Sequence, residues 1–357
     1  MKRLKMTGFI LLISFLIPGC AMDRASKMPS ERIVIEREPL EKVEALMDQV
    51  KGLEKSMANL DLKINRLEDR LRSIQTRPPL SHYRLPGEVT LCGERIPLED
   101  RNIWENLDRE FIVTLDNHAQ ILLWMKRARR YFPPIEKRLQ EMNLPDDLKY
   151  VAIAESSLRP HAVSSSGAAG IWQFIPSTGE KYGMRRNRAI DERFDFINAT
   201  EAALTYLKTL YEEFGSWPLA MASYNAGENR VRREIALQKT RNYFYLDLPM
   251  ETERYVYKIA AAKIILSDPG KYGFYLEDQA FYDPFQMERV LIELKQSLPL
   301  TEVAGAIGFY YKEVKEMNPH LAEETIPGGT HFLNLPKGTS ERFWSFFHHW
   351  KRELEGK

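Results

Sequence analysis

A regular heptad repeat over residues 40–76 constrains the fold of this chain more than any other feature. Its apolar residues are spaced alternately three and four positions apart over five heptads, at Val43, Leu46, Val50, Leu53, Met57, Leu60, Ile64, Leu67, Leu71 and Ile74. A lone surface helix would drift toward a 3.6-residue period, whereas supercoiled helices keep a 3.5-residue seam in register. The repeat therefore predicts a coiled-coil stalk of roughly 50 Å at about 1.5 Å per residue.

The residue types within the repeat bear on how many chains associate. β-Branched residues or Met occupy most a positions and Leu most d positions, and Lys63 with Glu68 suits a g–e′ ion pair. These choices favour a parallel homodimer. A trimer is also open, and so is a helix that folds back onto its own domain.

The first 20 residues have the pattern of a targeting segment. Three basic residues precede the apolar stretch 8–17, which is too short to span a bilayer comfortably. The stretch ends at Ile17-Pro-Gly-Cys20, which resembles the lipobox of bacterial lipoproteins. That resemblance implies a lipid anchor at Cys20, and Ala21 after it resembles sorting to the periplasmic face of the outer membrane. A cleaved soluble signal, with Cys20 incidental, is the alternative.

Composition excludes several classes of protein. A length of 357 residues predicts roughly two domains plus extra segments, and 44% hydrophobic residues are enough for a sizeable core. The net charge of +1 gives no case for nucleic-acid binding. Two cysteines, Cys20 and Cys92, make no disulfide framework, and the seven histidines form no ligand-like cluster. We therefore expect no metal and no cofactor.

One carboxylate interrupts the apolar face of a predicted helix. In the run 145–158, Leu148, Val151, Ala152 and Glu155 fall at positions i, i+3, i+4 and i+7 and so share a face. A carboxyl held against that face is desolvated, which raises its pKa and keeps it protonated near neutral pH, as a general acid requires. The alternative is a solvated glutamate at a frayed helix end.

Three later segments carry polar groups next to small or apolar residues. Residues 164–176 combine small residues with Trp172 and Gln173, and glycines there allow a close approach of the backbone to a ligand. An apolar run, 217–225, ends in Ser223-Tyr-Asn225, and a further helix opens at residue 249. The glycine spacing does not match a phosphate-binding loop.

In this order the four segments resemble the motifs of the lytic transglycosylase family related to goose-type lysozyme. The matching stretches are Glu155-Ser156, Gly170-Ile-Trp-Gln173, Ser223-Tyr-Asn-Ala-Gly227 and Glu251-Thr-x-x-Tyr255. The resemblance runs from about Gly93 to Phe274. Trp172 and Ile175 stand where many family members have Met.

The resemblance implies a mainly α fold with a lysozyme-like helical catalytic domain, and it implies Glu155 as the single catalytic acid. It also implies a set of side chains that bind the sugar or line its site: Ser164, Gln173, Tyr224, Asn225, Glu251 and Tyr255. Ser156 would orient Glu155 or cap its helix. Trp172, Tyr182 and Tyr224 are candidate sugar platforms, with buried packing an equal alternative for Trp172.

The resemblance also implies a reaction on peptidoglycan glycan strands. Glu155 would protonate the leaving oxygen of the bond between N-acetylmuramic acid (MurNAc) and N-acetylglucosamine (GlcNAc). It would then accept the proton of the MurNAc C6 hydroxyl, which gives a 1,6-anhydro end without water. A hydrolytic muramidase on the same fold would need a second carboxylate, Glu251 or Asp191. A non-catalytic wall-binding lipoprotein is the third alternative.

Residues 285–337 change character and predict the order strand, helix, helix, strand. That order resembles a LysM module, a small α+β glycan-binding fold, with Gln296-Ser-Leu-Pro where the Gly-Asp-Thr of the family would stand. A degenerate module that only packs against its neighbour is an equal alternative. Residues 230–247, rich in Arg and Tyr, either line the glycan groove or form a solvated edge.

The predicted organisation is a lipoprotein signal peptide at 1–20, a coiled-coil stalk at 40–76, a Pro-rich linker at 77–90, a catalytic domain at 91–275 and a degenerate LysM-like module at 285–337. Within the catalytic domain, the helical pattern between Arg101 and Met142 is expected to break at Pro133-Pro134. Asp195 or Asn198 is expected to cap a helix, and Asp191 to be a structural loop residue.

Overall fold

The computed structural model describes residues 38–74 and 80–355, with side chains for 42–68 and 80–354. The predicted signal peptide and Cys20 lie outside the described residues. The chain divides into two compact units after Asn65. Within residues 38–74 and 80–355, no helix combines the length and the apolar character that crossing a membrane requires.

The described residues of the first unit belong to one long helix, α1 (Glu38–Ile74), which covers most of the predicted heptad repeat and continues past Asn65. Its apolar side chains are exposed at both the a and the d positions, from 49% at Ile64 to 64% at Leu53. A single helix with an exposed apolar stripe gains little from burial. The helix agrees with the prediction, while the coiled coil itself stays a prediction.

The second unit contains the predicted catalytic domain, residues 91–275, which we call the catalytic unit, and the C-terminal module. Among the described residues, the catalytic unit contains eight α-helices. They are α2 (Arg101–Asp116), α3 (His118–Glu141), α4 (Lys149–Ser156), α5 (Pro176–Lys181), α6 (Phe196–Phe214), α7 (Trp217–Ala226), α8 (Glu228–Gln238) and α9 (Met250–Ser267). The fold is therefore mainly α, as predicted.

Helix α9 lies at the centre of this unit, where it packs against α2, α4 and α7. Val256, Ile259, Ala260 and Ala261 of α9 are fully buried. A helix that is apolar around most of its circumference is typical of a buried core element, and alanines let its neighbours approach closely. This packing fixes α4 and α9, the two helices that carry Glu155 and Tyr255, against each other.

The predicted break at Pro133-Pro134 is wrong, because α3 continues through both prolines to Glu141. Each proline removes one backbone N–H donor from the helix. Tyr131, Ile135 and Leu139 lie on one buried face of the same helix. Their burial in the core outweighs the lost hydrogen bonds, so tertiary packing decides the outcome.

The segment predicted as a linker contacts the catalytic unit from residue 80 onward. The Tyr83 hydroxyl donates to the Tyr272 carbonyl oxygen at 3.0 Å. A two-stranded hairpin follows, formed by β1 (Thr90–Leu91) and β2 (Glu94–Arg95). Between these strands the Cys92 amide donates to Asp147 at 2.6 Å. Burial raises the pKa of the Cys92 thiol well above its usual range, which favours the protonated thiol over the thiolate.

The C-terminal module has the predicted order of elements. Strand β3 (Met287–Leu294) pairs antiparallel with β6 (Gly329–Pro336), in a register that places Leu291 opposite Phe332. Helices α10 (Leu300–Ile307) and α11 (Tyr311–Met317) and the short strands β4 (Leu298–Pro299) and β5 (Thr325–Ile326) lie between them. A further helix, α12 (Ser340–Glu355), adds Phe343 and Phe347 to the core. The module therefore extends beyond the predicted boundary at 337.

The C-terminal module is joined to the loop that precedes α6. Ile190 belongs to the buried core of the module and forms an isolated bridge with Leu321. The Asp191 amide donates to the His320 carbonyl oxygen at 2.9 Å. Arg289 of β3 donates to both carboxylate oxygens of Asp195, which is only 1% exposed. The two parts therefore share a core and a buried ion pair.

Candidate active site

Glu155 lies in the last turn of α4. Leu148, Val151 and Ala152 are fully buried along the predicted stripe, and Glu155 continues that stripe as a partly buried residue. The helix then ends in two left-handed residues, Ser157 at φ 59° and Leu158 at φ 58°. Such conformations cost about 1–3 kcal/mol each in residues other than glycine and are enriched at functional sites.

The Glu155 carboxyl is held by Tyr255, one turn into α9. The Tyr255 hydroxyl donates to Glu155 Oε1. Burial raises the pKa of Glu155 to about 7, while the Tyr255 hydrogen bond opposes that rise, the Glu251 charge adds to it and Lys258 opposes it. A carboxyl with a pKa near 7 is protonated in a large fraction of molecules at neutral pH, and it can both donate and accept a proton.

The loop of residues 162–175 lies beside α4 and is attached to it by Ser156. The Ser156 hydroxyl donates to the Ile171 carbonyl oxygen at 2.8 Å and accepts from the Arg159 amide at 3.2 Å. No hydrogen bond joins Ser156 to the Glu155 carboxyl among the described residues. Ser156 thus positions the loop relative to the end of α4, instead of orienting Glu155 directly.

Two predicted sugar contacts on this loop have structural partners. Ser164 accepts from the Ala168 amide at 3.0 Å, which stabilises the turn. Gln173 has a left-handed backbone at φ 50° and donates from Nε2 to the carbonyl oxygens of Gly170 and Ala162, at 2.8 and 3.2 Å. Its Oε1 remains as an acceptor.

Arg193 supports the same loop through hydrogen bonds, and no sequence pattern pointed to this residue. It is 4% exposed and donates from Nη1 to the carbonyl oxygens of Gly167 and Phe174, at 2.8 and 2.9 Å. Its Nε and Nη2 bind the two oxygens of Asp191. A Cβ at Gly170 would lie 2.1 Å from the Arg193 carbonyl oxygen, so only glycine fits this contact.

The end of α7 brings Tyr224 and Asn225 to the site. The Tyr224 hydroxyl donates to the Trp172 carbonyl oxygen at 2.8 Å, and burial followed by the Glu155 charge raises the pKa of Tyr224. Asn225 Oδ1 accepts from the Thr252 hydroxyl at 2.9 Å, which leaves the Asn225 amide group as a donor. Thr252 is a second positioning residue that the sequence reasoning missed.

Trp172 does not serve as a sugar platform. It is fully buried, and its indole N–H donates to the Thr200 hydroxyl at 3.0 Å. The buried alternative for Trp172 is therefore the correct one, because the ring fills the core beneath the loop. Tyr182 and Tyr224 are both partly exposed.

The candidate second carboxylates differ in their surroundings. Both oxygens of Asp191 accept from Arg193, and Asp195 caps α6 by accepting from the Ile197 and Asn198 amides, each at 3.1 Å. The structural role predicted for Asp191 is confirmed, and of the two residues predicted as alternative caps, Asp195 is the one that caps α6. Glu251 is exposed in the first turn of α9 and acts on Glu155 through its charge. Within residues 38–74 and 80–355, no His, Cys, Asp and Glu side chains cluster as a metal site would require.

Comparison with known families identifies the domain that carries these residues. The sequence profile described as Transglycosylase SLT domain matches residues 132–246. The chain carries a transglycosylase SLT domain. The matched span of the SLT domain includes Glu155, Gln173, Tyr224 and Asn225, whereas Glu251 and Tyr255 follow it.

The sequence alignments with two curated relatives are longer than the match to the SLT domain. The chain is 35% identical over 219 residues to membrane-bound lytic murein transglycosylase D of Escherichia coli (strain K12), covering 59% of this chain and 47% of the relative. It is 30% identical over 134 residues to membrane-bound lytic murein transglycosylase C of Haemophilus influenzae (strain PittEE), covering 33% of this chain and 35% of the relative. The chain thus spans less than half the length of either protein.

A solved structure also aligns with the chain. The 70 kDa soluble lytic transglycosylase from Escherichia coli matches with a TM-score of 0.34 and 20% identity, over 50% of this chain and 33% of that one. A similarity this small supports no argument about the fold. The identity of the SLT domain rests on the sequence profile.

Proposed function

We propose that this chain is a lytic transglycosylase that cleaves the bond between MurNAc and GlcNAc in peptidoglycan and leaves a 1,6-anhydro-MurNAc end. One observation carries the proposal. The carboxyl of Glu155, within the SLT domain, has a pKa of about 7 and accepts a hydrogen bond from Tyr255. The names of the curated relatives support murein as the substrate class.

The proposed reaction uses Glu155 twice. As an acid it protonates the glycosidic oxygen, so that the bond to the MurNAc C1 breaks and GlcNAc leaves. As a carboxylate it then accepts the proton of the MurNAc C6 hydroxyl, whose oxygen forms the new bond to C1. The substrate supplies its own nucleophile, so one carboxyl completes both proton transfers and no water is consumed.

The neighbouring side chains have supporting roles in this proposal. The Asn225 amide group and Gln173 Oε1 offer a donor and an acceptor to the sugar amide and hydroxyls. Tyr255 orients the acid. Glu251, Tyr224 and Ser164 lie on the walls and supporting turns of the site. We propose no metal or cofactor for this reaction.

Mass spectrometry of purified peptidoglycan digested by the chain tests the reaction. We expect muropeptides with anhydro ends, which are one water lighter than reducing ends, and we expect Glu155→Gln to abolish cleavage. Digests with reducing ends alone would instead favour a hydrolytic muramidase, for which the exposed Glu251 is the candidate base.

A Glu251→Gln variant separates these two activities. It should remove hydrolysis but only reduce the lytic reaction. If the wild-type chain cleaves nothing yet sediments with purified sacculi, a non-catalytic wall-binding role replaces both.

We further propose that the chain is anchored at the periplasmic face of the outer membrane by lipid on Cys20. The basic residues, the apolar stretch and the lipobox-like Ile17-Pro-Gly-Cys20 support this, and two or more acyl chains give stable anchoring. Labelled palmitate should be incorporated by the wild-type chain and not by Cys20→Ala. Equal labelling of both chains would reject the anchor.

The remaining parts of the chain are proposed to serve the anchored enzyme. Helix α1 would form the coiled-coil stalk, and the C-terminal module would be a LysM-like unit. The exposed apolar stripe of α1 supports the first role, and the order β3, α10, α11, β6 supports the second.

A further inference from the structure

A cleft opens between the C-terminal module and the catalytic unit. Its volume is about 490 Å³. Leu291 and Phe332, on the outer face of the β3–β6 pair, form one side, and Tyr182 and Thr205 lie among the residues of the other side. Glu155 and Tyr255 are not among the lining residues, so the cleft is separate from the candidate acid.

Apolar side chains on the sheet side of the cleft are exposed to solvent. Leu291 is 54% exposed and Phe332 is 39% exposed, while Val290 and Leu333 on the opposite face are buried in the module core. The Arg289 guanidinium lies 4.3 Å from the centre of the Phe332 ring and holds it in place. Exposed apolar groups in a concave surface beside polar residues are typical of a binding site.

The charged groups of the cleft are already paired within the protein. Arg185 Nη2 lies 2.6 Å from Glu192 Oε1, and Glu201 accepts from Arg138 at 2.7 Å. A charged ligand would have to displace one of these partners, whereas a neutral ligand would not. The charge balance therefore favours a neutral ligand.

Uncharged hydrogen-bonding groups accompany the apolar side chains. Asn198 accepts from Arg289 through Oδ1 at 2.9 Å, which leaves its Nδ2 as a donor. Thr205 and Thr330 contribute hydroxyls that both donate and accept. A sugar ring, with apolar faces and a polar edge of hydroxyls and amides, matches this combination.

A series of tyrosines leads from the candidate active site to the cleft. The ring centres of Tyr224 and Tyr206 are 5.2 Å apart, and those of Tyr206 and Tyr182 are 4.9 Å apart. Tyr224 adjoins Glu155, and Tyr182 lines the cleft. Tyr206 is buried, so these spacings show how close the two sites are and do not mark a surface path. A strand of a few sugar residues held at Glu155 is long enough to span that separation.

We propose that this cleft is an accessory glycan site, which binds an uncharged N-acetylated sugar residue of the strand whose cleaved bond lies at Glu155. The proposal rests on the proposed function for the source of the strand. The C-terminal module then contributes to substrate binding through the outer face of its sheet, and a long strand binds more tightly than a short one.

Isothermal titration with oligomers of GlcNAc tests the proposal, with four to eight sugars per oligomer. The protein is the full chain with Glu155→Gln, so that no ligand is consumed. We expect the longest oligomer to bind about tenfold more tightly than the shortest. Phe332→Ala and Leu291→Asp, each added to this chain, should remove that gain and leave binding of the shortest oligomer unchanged.

Tyr310→Ala is the matched control, because Tyr310 is an 82% exposed aromatic residue of the same module that does not line the cleft. It should keep the full gain. Thermal unfolding of each variant shows whether it is folded. If Phe332→Ala does not fold, Leu291→Asp alone tests the cleft, because Leu291 is exposed and its replacement leaves the core intact. Affinity independent of length, or a gain retained in a folded cleft variant, would overturn the accessory site. Failure of the proposed function would instead appear as missing anhydro ends with the unmutated chain.

Discussion

At the residue scale, the proposed chemistry depends on Glu155, and two opposing influences on its pKa are the largest. Burial raises the pKa to about 7, and the hydrogen bond from Tyr255 limits the rise. The apolar stripe of α4 supplies the burial, and α9 supplies the hydroxyl. The same arrangement affects stability and activity, which gives two separate predictions.

The first prediction concerns stability as a function of pH. The folded-state pKa of Glu155 is above its ordinary value of 4.5, so its stabilising contribution is complete below pH 4.5 and is lost as the pH rises through 7. Glu155→Gln cannot ionise and keeps that contribution. We expect its free energy of unfolding to exceed that of the wild type by about 3 kcal/mol at pH 8 and to equal it at pH 4. Urea unfolding at both pH values measures the difference, and equal stabilities at pH 8 would contradict the burial of the carboxyl.

The second prediction concerns the pH dependence of cleavage. The Tyr255 hydroxyl lowers the pKa of Glu155, so Tyr255→Phe should raise it and move the alkaline limb of kcat/KM to higher pH. Loss of orientation should also reduce kcat by about tenfold to a hundredfold. Tyr257→Phe, on the same helix and equally buried, is the control and should leave the limb in place. An unshifted limb in Tyr255→Phe would argue against Glu155 as the acid.

At the element scale, the small-residue loop of residues 162–175 is held by groups that come from elsewhere in the chain. Ser156 attaches it to the end of α4, and Arg193 supports it from the segment before α6. In contrast, the helical structure of α1 follows from the heptad repeat within its own sequence.

Arg193 gives a prediction for the loop. Lysine cannot reproduce the planar fork that binds two carbonyl oxygens and both oxygens of Asp191. We expect Arg193→Lys to cost about 2–4 kcal/mol of unfolding free energy and to raise KM more than it lowers kcat, because Gln173 loses its position while Glu155 keeps Tyr255. Arg186→Lys, at an exposed position nearby, should change neither quantity. Steady-state kinetics and urea unfolding measure both, and a fall in kcat alone would contradict the positioning role.

The exposed stripe of α1 gives a prediction for self-association. Placing Asp at two d positions, Leu53→Asp with Leu60→Asp, should make the chain monomeric, because each leucine loses about 1.5–3 kcal/mol of burial per helix. Lys55→Glu, at an outward f position, is the control and should leave the assembly unchanged. Sedimentation velocity compares the parent chain, the double variant and the Lys55→Glu control, each carrying Cys20→Ala. A monomeric parent chain would reject the coiled coil.

At the scale of the whole second unit, the catalytic part and the C-terminal module depend on each other. Ile190 belongs to the core of the module, and the buried Asp195 both caps α6 and binds Arg289 of β3. His320 also lies 3.7 Å from Asp195, and burial lowers the pKa of His320, which favours its neutral form. The two parts should therefore unfold in one transition.

The Asp195–Arg289 pair gives a prediction for this joint. Arg289→Ala leaves the buried Asp195 without its cation, and we expect a loss of about 3–5 kcal/mol of unfolding free energy for the unit as a whole. Arg188 and Glu323 form an ion pair across the same joint, with Arg188 almost fully exposed, and Arg188→Ala should have no measurable effect. Calorimetry measures both variants. A normal transition for Arg289→Ala, or two separate transitions in the wild type, would contradict the shared core.

What could be read from the sequence was local. The heptads of α1, the apolar stripe ending at Glu155, a helix cap at Asp195 or Asn198 and the order of the C-terminal elements all follow from spacings of a few residues, which the geometry of helices and strands converts directly into structure. The tertiary structure alone decided the continuation of α3 through Pro133-Pro134, the burial of Trp172, the support of the loop by Arg193 and the joint at Ile190 and Arg289. Each of these depends on groups that are distant in sequence, so its free energy comes from packing and desolvation that no local pattern records.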